Sequence, residues 1–245
     1  ADERGYEPLY RIDLKKRAIH KIIADRAISG FDFDHKGKFY YTYSHTGKPS
    51  EIYTATPSGK ALQETQLTHF NDSLTAAVDF RPSETLWVKG ADGDSVECVI
   101  VKPHGFVEGK RYPLVINVHG GPQMQWMDSY RPDWQVYPGA GYVVAYPNPH
   151  GSTGYGQQFC RAISGNWGGR PYVDVMKVTD ALAQLSYVDS TRMGAMGWSY
   201  GGYFMNWLQG QTKRFKCLAS MMGLFDLQAM WGTTEDLWFP NFDLE

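Results

Sequence analysis

An α/β fold with a mainly parallel sheet, preceded by an all-β segment, is what this 245-residue sequence predicts. Three observations carry the prediction. Near-continuous apolar runs at 113–119 and 142–146 have the character of strands buried on both faces. Helical periodicity lies between such runs, so the strands are joined by crossover helices. Finally, Gly197-Trp198-Ser199-Tyr200-Gly201 follows the apolar run 193–197 and opens a helical pattern, the setting of a serine held on a sharp strand-to-helix turn.

Residues 1 to about 80 read as short strands. The stretches 10–14 and 31–34 alternate apolar and polar side chains, 38–43 is aromatic and β-branched, and 51–55 follows a turn at Gly47-Lys48-Pro49. Pro57-Ser58-Gly59-Lys60 reads as a further turn. Strands at this spacing suggest propeller blades or a sandwich, and the segment holds at most about two blades of roughly 40 residues, whereas a propeller needs at least about four. Only Pro82-Ser83 marks the boundary, giving domains 1–82 and 83–245.

In the second domain, 86–89, the turn at 91–94 and 96–101 read as a hairpin. Buried strands follow at 113–119, 142–146, 193–197 and 216–222. A helix over 171–187 has proline in its first turn, Asp174 early, and apolar residues at Val175, Val178, Leu182 and Leu185. A second helix runs from Tyr200 to about Gln211.

Composition narrows the classes of function. The net charge is −2 and no basic run is present, which argues against nucleic acid. No apolar run approaches the roughly 18 residues that cross a bilayer, and the charged Ala1-Asp2-Glu3-Arg4-Gly5 is no signal peptide. Cys98, Cys160 and Cys217 are odd in number and lack metal-ligand spacing, so neither metal, cofactor nor disulfide framework is expected. Cys98 and Cys217 lie in apolar runs and are expected to be buried. The 15% aromatic content fits aromatic strands or a large interface, which leaves a homodimer open.

The chemistry centres on Ser199. A serine hydroxyl needs a histidine base and a carboxylate that orients it. Where serine occupies such an elbow the chain order is Ser, Asp or Glu, then His. All seven histidines (His20, His35, His45, His69, His104, His119 and His150) precede Ser199. His119-Gly120-Gly121-Pro122 closes the first buried strand, where glycines let backbone N–H groups approach an oxyanion together with the N–H of Tyr200. The alternative is a plain strand-end turn with His119 a structural histidine. The glycine-rich stretch 148–156 suits either a pocket rim or a turn into a helix at Gln157. Asp226, Glu235 and Asp236 read as loop or helix-end residues rather than triad members. Trp231, Trp238 and Phe239 suit a pocket lining or packing on a further part of the sheet.

Four stretches together resemble the prolyl oligopeptidase family: Asn117-Val118-His119-Gly120-Gly121-Pro122, the loop 148–156, residues 189–197, and Gly197-Trp198-Ser199-Tyr200-Gly201-Gly202-Tyr203. The first two are most similar to its acylaminoacyl peptidase and dipeptidyl peptidase branches. The resemblance implies an α/β-hydrolase catalytic domain over 83–245, with 1–82 as the last part of a β-propeller. It implies a Ser-Asp-His triad that cleaves short peptides, with Ser199 as nucleophile and the Tyr200 N–H as an oxyanion donor. His119 stands where some branches carry a tyrosine that completes the oxyanion hole, which shifts weight to the backbone of Gly120 and Gly121. It also implies that the triad Asp and His follow Glu245 and that most of the propeller precedes Ala1. The chain is accordingly expected to be an internal stretch of a serine exopeptidase, inactive by itself. The elbow and glycine loop alone also permit an esterase or lipase, and the missing base permits a non-enzymatic binding or dimerisation domain. The compartment stays open among periplasmic, secreted and cytoplasmic.

Overall fold

A computed structural model of the chain describes residues 1–58 and 61–244. The turn expected at 57–60 lies partly outside the described residues. The chain forms two compact units, one of Ala1–Ser83 with Met127–Val136 and one of Glu84–Trp126 with Tyr137–Glu245.

The first unit is antiparallel. Strands β1 (Leu9–Asp13) and β2 (Ala18–Ile23) pair across a turn in which the Asp13 carboxylate accepts the Lys15 and Lys16 N–H groups, each at 3.0 Å. Strands β3 (Ala27–Phe33), β4 (Phe39–His45), β5 (Lys48–Ser58) and β6 (Ala61–Gln66) form a four-stranded sheet in that order, each antiparallel to the next. Asp34 accepts the N–H groups of Lys36 and Lys38 and so closes the turn between β3 and β4. Ile23, Ile28, Tyr41, Tyr53 and Ala55 form the core. Glu51 is buried beside the helix α1 (Asp72–Ala77). Burial raises the pKa of a carboxyl, but hydrogen bonds from Thr68, Asn71 and Phe70 outweigh that and hold Glu51 at about 2.

Segment 127–136, which the sequence suggested was part of the second domain, packs in this first unit. Asp128 accepts Thr46 N–H at 2.9 Å and the hydroxyls of Thr46 and Ser83, while the Gln135 amide bonds Arg81 N–H at 2.8 Å and the Thr46 and Arg81 carbonyls. These are polar anchors at long sequence separation, and local periodicity carries no trace of them.

The second unit is a six-stranded mixed sheet between helices. Its elements in chain order are β7 (Ser83–Lys89), β8 (Ser95–Val101), β9 (Tyr112–Val118), α2 (Asp133–Gly139, crossing the unit boundary) and β10 (Val143–Asn148). Then come α3 (Gln157–Arg161), α4 (Arg170–Ala183), β11 (Val188–Trp198), α5 (Tyr200–Gln211), β12 (Cys217–Met221), α6 (Leu227–Thr233) and α7 (Trp238–Asp243). The order across the sheet is β12-β11-β9-β10-β8-β7. Strands β9, β10, β11 and β12 run parallel, as the crossover connections demand, and β8 is antiparallel to β10. The strands expected to end near His119, Tyr146 and Gly197 therefore lie parallel in one sheet.

The apolar runs form the core. Leu114, Ile116, Val118, Val143 and Ala145 of the central strands pack with Val175, Val178 and Leu182 of α4 and Phe204 and Leu208 of α5. Burying each such side chain contributes roughly 1.5–3 kcal/mol. The outer strand β12 departs from expectation: it lies at the sheet edge and is partly exposed, and Cys217, expected to be buried, is exposed. Cys98, in β8, is buried as expected. Among the described residues no helix is long and apolar enough to cross a membrane.

Candidate active site

Ser199 sits between β11 and α5 with φ 57° and ψ −115°. A positive φ is costly for a residue with a Cβ and persists only where its surroundings impose it. Three glycines supply the imposition. A Cβ on Gly197 would lie 2.4 Å from the Gly201 backbone, one on Gly201 would lie 2.1 Å from the Val118 carbonyl oxygen, and one on Gly202 would lie 2.6 Å from Gly223 Cα. The first turn of α5 is thus pressed directly onto the ends of β9 and β12. The Ser199 N–H donates to the Met221 carbonyl at 2.9 Å, and its own carbonyl accepts Tyr203 N–H at 2.9 Å. Ser199 ends up half-buried at the carboxyl end of the parallel strands.

Tyr200 divides its roles. Its side chain is buried and its hydroxyl donates to the Trp167 carbonyl at 2.9 Å, with burial holding its pKa well above the ordinary tyrosine value. Its backbone N–H belongs to the first turn of α5, whose N–H groups have no carbonyl partner within the helix.

The loop after β9 comes up against this turn. A Cβ on Gly120 would lie 3.1 Å from the Trp198 carbonyl oxygen and 3.4 Å from Ser199 Cβ. Gly121 has φ +104°, and a Cβ there would lie 2.6 Å from Gln123 N, so only glycine fits. Gly120 is thereby brought alongside Ser199. His119 is buried at 1% exposure, its Nδ1 facing the Gly120 carbonyl oxygen at 2.7 Å and its Nε2 facing Ser152 Oγ at 2.8 Å. Burial lowers its pKa to about 4, so the ring is neutral at neutral pH. Both ring nitrogens are thus engaged by groups other than Ser199.

The loop 148–156 holds residues that reading by motif left undivided. Asn148 Oδ1 accepts Trp126 N–H at 2.7 Å and its Nδ2 donates to the Trp126 carbonyl at 3.0 Å and to Tyr155 Oη at 2.7 Å. His150 donates from Nδ1 to Asp174 of α4 at 2.6 Å and stacks on Phe159 at 4.1 Å. Asp174 is fully buried and also accepts the N–H groups of His150 and Ala91, both at 2.7 Å. Asp226 caps α6 by accepting the Gln228 and Ala229 N–H groups. Beside Gly121 lies a cavity of about 620 Å³ walled by Gln123, Arg161, Trp238, Phe239 and Phe242. Another of about 800 Å³, walled by Trp167, Tyr203, Trp207 and Trp231, borders neither Ser199 nor Gly120. Among the described residues no group of three or more His, Cys, Asp or Glu is placed to hold a metal.

A serine on a strained turn over a mainly parallel sheet, with a glycine loop against it, defines an α/β protein built around an elbow. The chain matches the model of the prolyl oligopeptidase family over residues 128–244. It is 33% identical over 248 residues to dipeptidyl-peptidase 5 of Schizosaccharomyces pombe, covering 99% of this chain and 35% of that protein. It is 35% identical over 209 residues to the uncharacterized peptidase YuxL of Bacillus subtilis, covering 84% of this chain and 31% of that one. The acylaminoacyl peptidase of Pyrococcus horikoshii superposes with a TM-score of 0.88 at 26% identity, over 99% of this chain and 38% of that one. The chain therefore spans about a third of the length of the curated relatives it matches.

Proposed function

We propose that this chain carries the nucleophile and the oxyanion side of an α/β-hydrolase-type serine exopeptidase that hydrolyses short peptides through an acyl-enzyme on Ser199. The observation that carries the reading is the strained Ser199 turn with Gly120 against it, where a Cβ on Gly120 would lie 3.4 Å from Ser199 Cβ. Ser199 Oγ attacks the scissile carbonyl. The developing oxyanion is received by the Tyr200 N–H at the start of α5 and by backbone N–H groups of the loop at Gly120 and Gly121. The helix N-terminus adds a favourable field at the same point. The base is the histidine that the family resemblance puts beyond Glu245, since His119 and His150, on the two loops beside the elbow, are engaged elsewhere. The cavity beside Gly121 suits an apolar substrate side chain. The names of the relatives, dipeptidyl-peptidase and acylaminoacyl peptidase, support peptides as the substrate class. The four-stranded antiparallel sheet of the first unit is read as a propeller blade.

The test uses the natural full-length protein. A fluorophosphonate probe should label Ser199, and anilides of dipeptides or N-acylated amino acids should be hydrolysed. Hydrolysis of aryl esters without any amide cleavage would replace this reading by an esterase. A smaller substitution tests the loop. Gly120→Ala places its Cβ 3.1 Å from the Trp198 carbonyl oxygen, so the loop must retreat by a few tenths of an ångström. We expect kcat/KM to fall about 10–100-fold, with a melting temperature within a few degrees of the parent. Unchanged kcat/KM would remove this loop from the chemistry.

A further inference from the structure

We infer that the cavity beside Gly121 is a subsite for a cationic substrate side chain, that of lysine or arginine, and that the Asp243 carboxylate receives its charge. The inference rests on the serine peptidase reading above and deepens it, from an apolar side chain to one with an apolar stem and a charged tip.

The cavity of about 620 Å³ combines an exposed rim with a buried acid. Trp238, Phe242 and Arg161 are exposed, whereas Asp243 is only 2% exposed. The aromatic walls, completed by Phe239, suit the methylene stem of a long side chain. Among the described residues that line the cavity, Arg161 and Asp243 carry the charges.

Asp243 is short of donors. Its Oδ2 accepts Gln123 Nε2–H at 2.7 Å. Among the described residues its Oδ1 has no hydrogen-bond partner, and no Lys or Arg forms an ion pair with it. A carboxylate buried to this degree is costly unless its charge is met. An ammonium group brings three N–H donors and a guanidinium five, so either supplies the donor and the charge together. Having given Nε2 to Asp243, the Gln123 amide keeps its Oε1 as a second acceptor.

Arg161 does not neutralise this acid. Its guanidinium lies over the Phe242 ring at 5.9 Å, on an exposed residue whose charge water screens. A buried charge acts through a lower dielectric and is felt more strongly. Cys160 lines the same cavity, and its thiol pKa is raised first by burial and then by the Asp243 charge.

The acid is also joined to the reacting centre. Through Gln123 it is tied to the loop that begins at Gly120, the residue packed against Ser199. Other bonds hold the end of α7. The Asp243 carbonyl accepts Gly165 N–H at 2.8 Å, the Phe242 carbonyl accepts the Ser164 hydroxyl at 3.1 Å, and Leu244 N–H donates to the Pro240 carbonyl at 2.8 Å. Changing the carboxylate leaves these bonds in place.

The experiment compares matched peptide anilides that carry lysine or norleucine before the scissile bond, with glutamate as a third arm, on the natural full-length protein. Norleucine lacks only the ammonium group. We expect kcat/KM for lysine to exceed that for norleucine about 10–100-fold, with glutamate the poorest. In Asp243→Asn, whose side-chain oxygen still accepts the Gln123 N–H, the lysine-to-norleucine ratio should fall to about one or below. The ratio is taken within each variant, so a general loss of fold or of loop geometry cancels. A parental ratio near one, a ratio unmoved by Asp243→Asn, or a preference for glutamate would overturn the proposal. A second measurement needs no turnover. Butylammonium should slow alkylation of Cys160 by iodoacetamide several-fold in the parent, 1-butanol should slow it less, and the difference should vanish in Asp243→Asn. No protection by butylammonium, or equal protection by the alcohol, would also overturn the proposal. If the parent shows no Ser199-dependent hydrolysis, the functional reading fails, while the alkylation rates still decide whether the cavity takes a cation.

Discussion

Ser199→Ala in the natural full-length protein is expected to lower kcat for peptide hydrolysis by roughly 10⁴–10⁶-fold and to abolish fluorophosphonate labelling. The loss is large because, in the proposed reaction, the hydroxyl forms the acyl-enzyme. What remains is the acceleration that binding and the oxyanion donors provide without a nucleophile. The fold should survive. Alanine meets the same φ of 57° as serine, and the hydrogen bonds that tie this residue to Met221 and Tyr203 come from its backbone. KM should stay within a few-fold, because the substrate still meets the same walls. Steady-state kinetics, labelling and a thermal melt on the same preparation check all three. Turnover above about 1% of the parent, with the probe attached to another residue, would move the nucleophile elsewhere.

Asp174→Asn is expected to cost about 3–5 kcal/mol, the range for breaking a buried pair by removing one partner. The wild-type carboxylate accepts three N–H bonds, from Ala91 on one oxygen and from the His150 backbone and ring on the other. Gly90 allows this closeness, since a Cβ there would lie 2.3 Å from Asp174 Oδ1. An asparagine offers one acceptor and one NH₂ group, so either orientation turns a donor against a donor. The melting temperature should fall on the order of 10 °C.

A pH signature accompanies that loss. Burial alone would lower the His150 pKa, but the hydrogen bond and charge of Asp174 outweigh it, with a smaller part from Asp94, and the folded pKa is raised above 6.5. Asp92 also faces His150, but its pKa is lowered chiefly by its hydrogen bond and ion pair with Arg170 and only lastly by His150. A raised histidine pKa contributes stability that is fully present below the unfolded value of about 6.5. It is lost as pH rises through the folded value. Parent stability should therefore decline on the alkaline side of pH 6.5, and that slope should flatten in Asp174→Asn. Urea unfolding across pH 5 to 9 reads both effects. An unchanged slope in the variant would show that His150 does not titrate against Asp174.

How much of this was legible beforehand differs by residue. The elbow was, because its requirements are local: an apolar strand, a serine, and glycines at 197, 201 and 202 where side chains would collide with neighbouring backbone. The approach of the glycine loop to this turn was nearly as legible, since Gly120 and Gly121 follow directly on β9. The tie from Ser152 to His119 was not, because it joins residues 33 positions apart through the parallel pairing of β9 and β10. The carboxylate of Asp174 looked like a first-turn helix acid, and its partner His150 like part of a glycine-rich turn. Their meeting 24 residues apart depends on how α4 lies against the loop after β10.

Hydrophobic patterning, glycine positions and the order of the motifs were sufficient by themselves for the α/β class, the parallel central strands and Ser199 at their carboxyl ends. These follow from constraints acting within a few residues: side-chain period, steric room and the handedness of crossovers. Tertiary structure alone decided the strand order, which makes β12 an edge and exposes Cys217 despite its apolar neighbours. It alone drew 127–136 into the first unit through Asp128 and Gln135. It also left His119 neutral, with its ring nitrogens on the Gly120 carbonyl and the Ser152 hydroxyl. Burial and hydrogen-bond partnership are properties of a residue's surroundings in space, and those surroundings exist only once distant segments have packed.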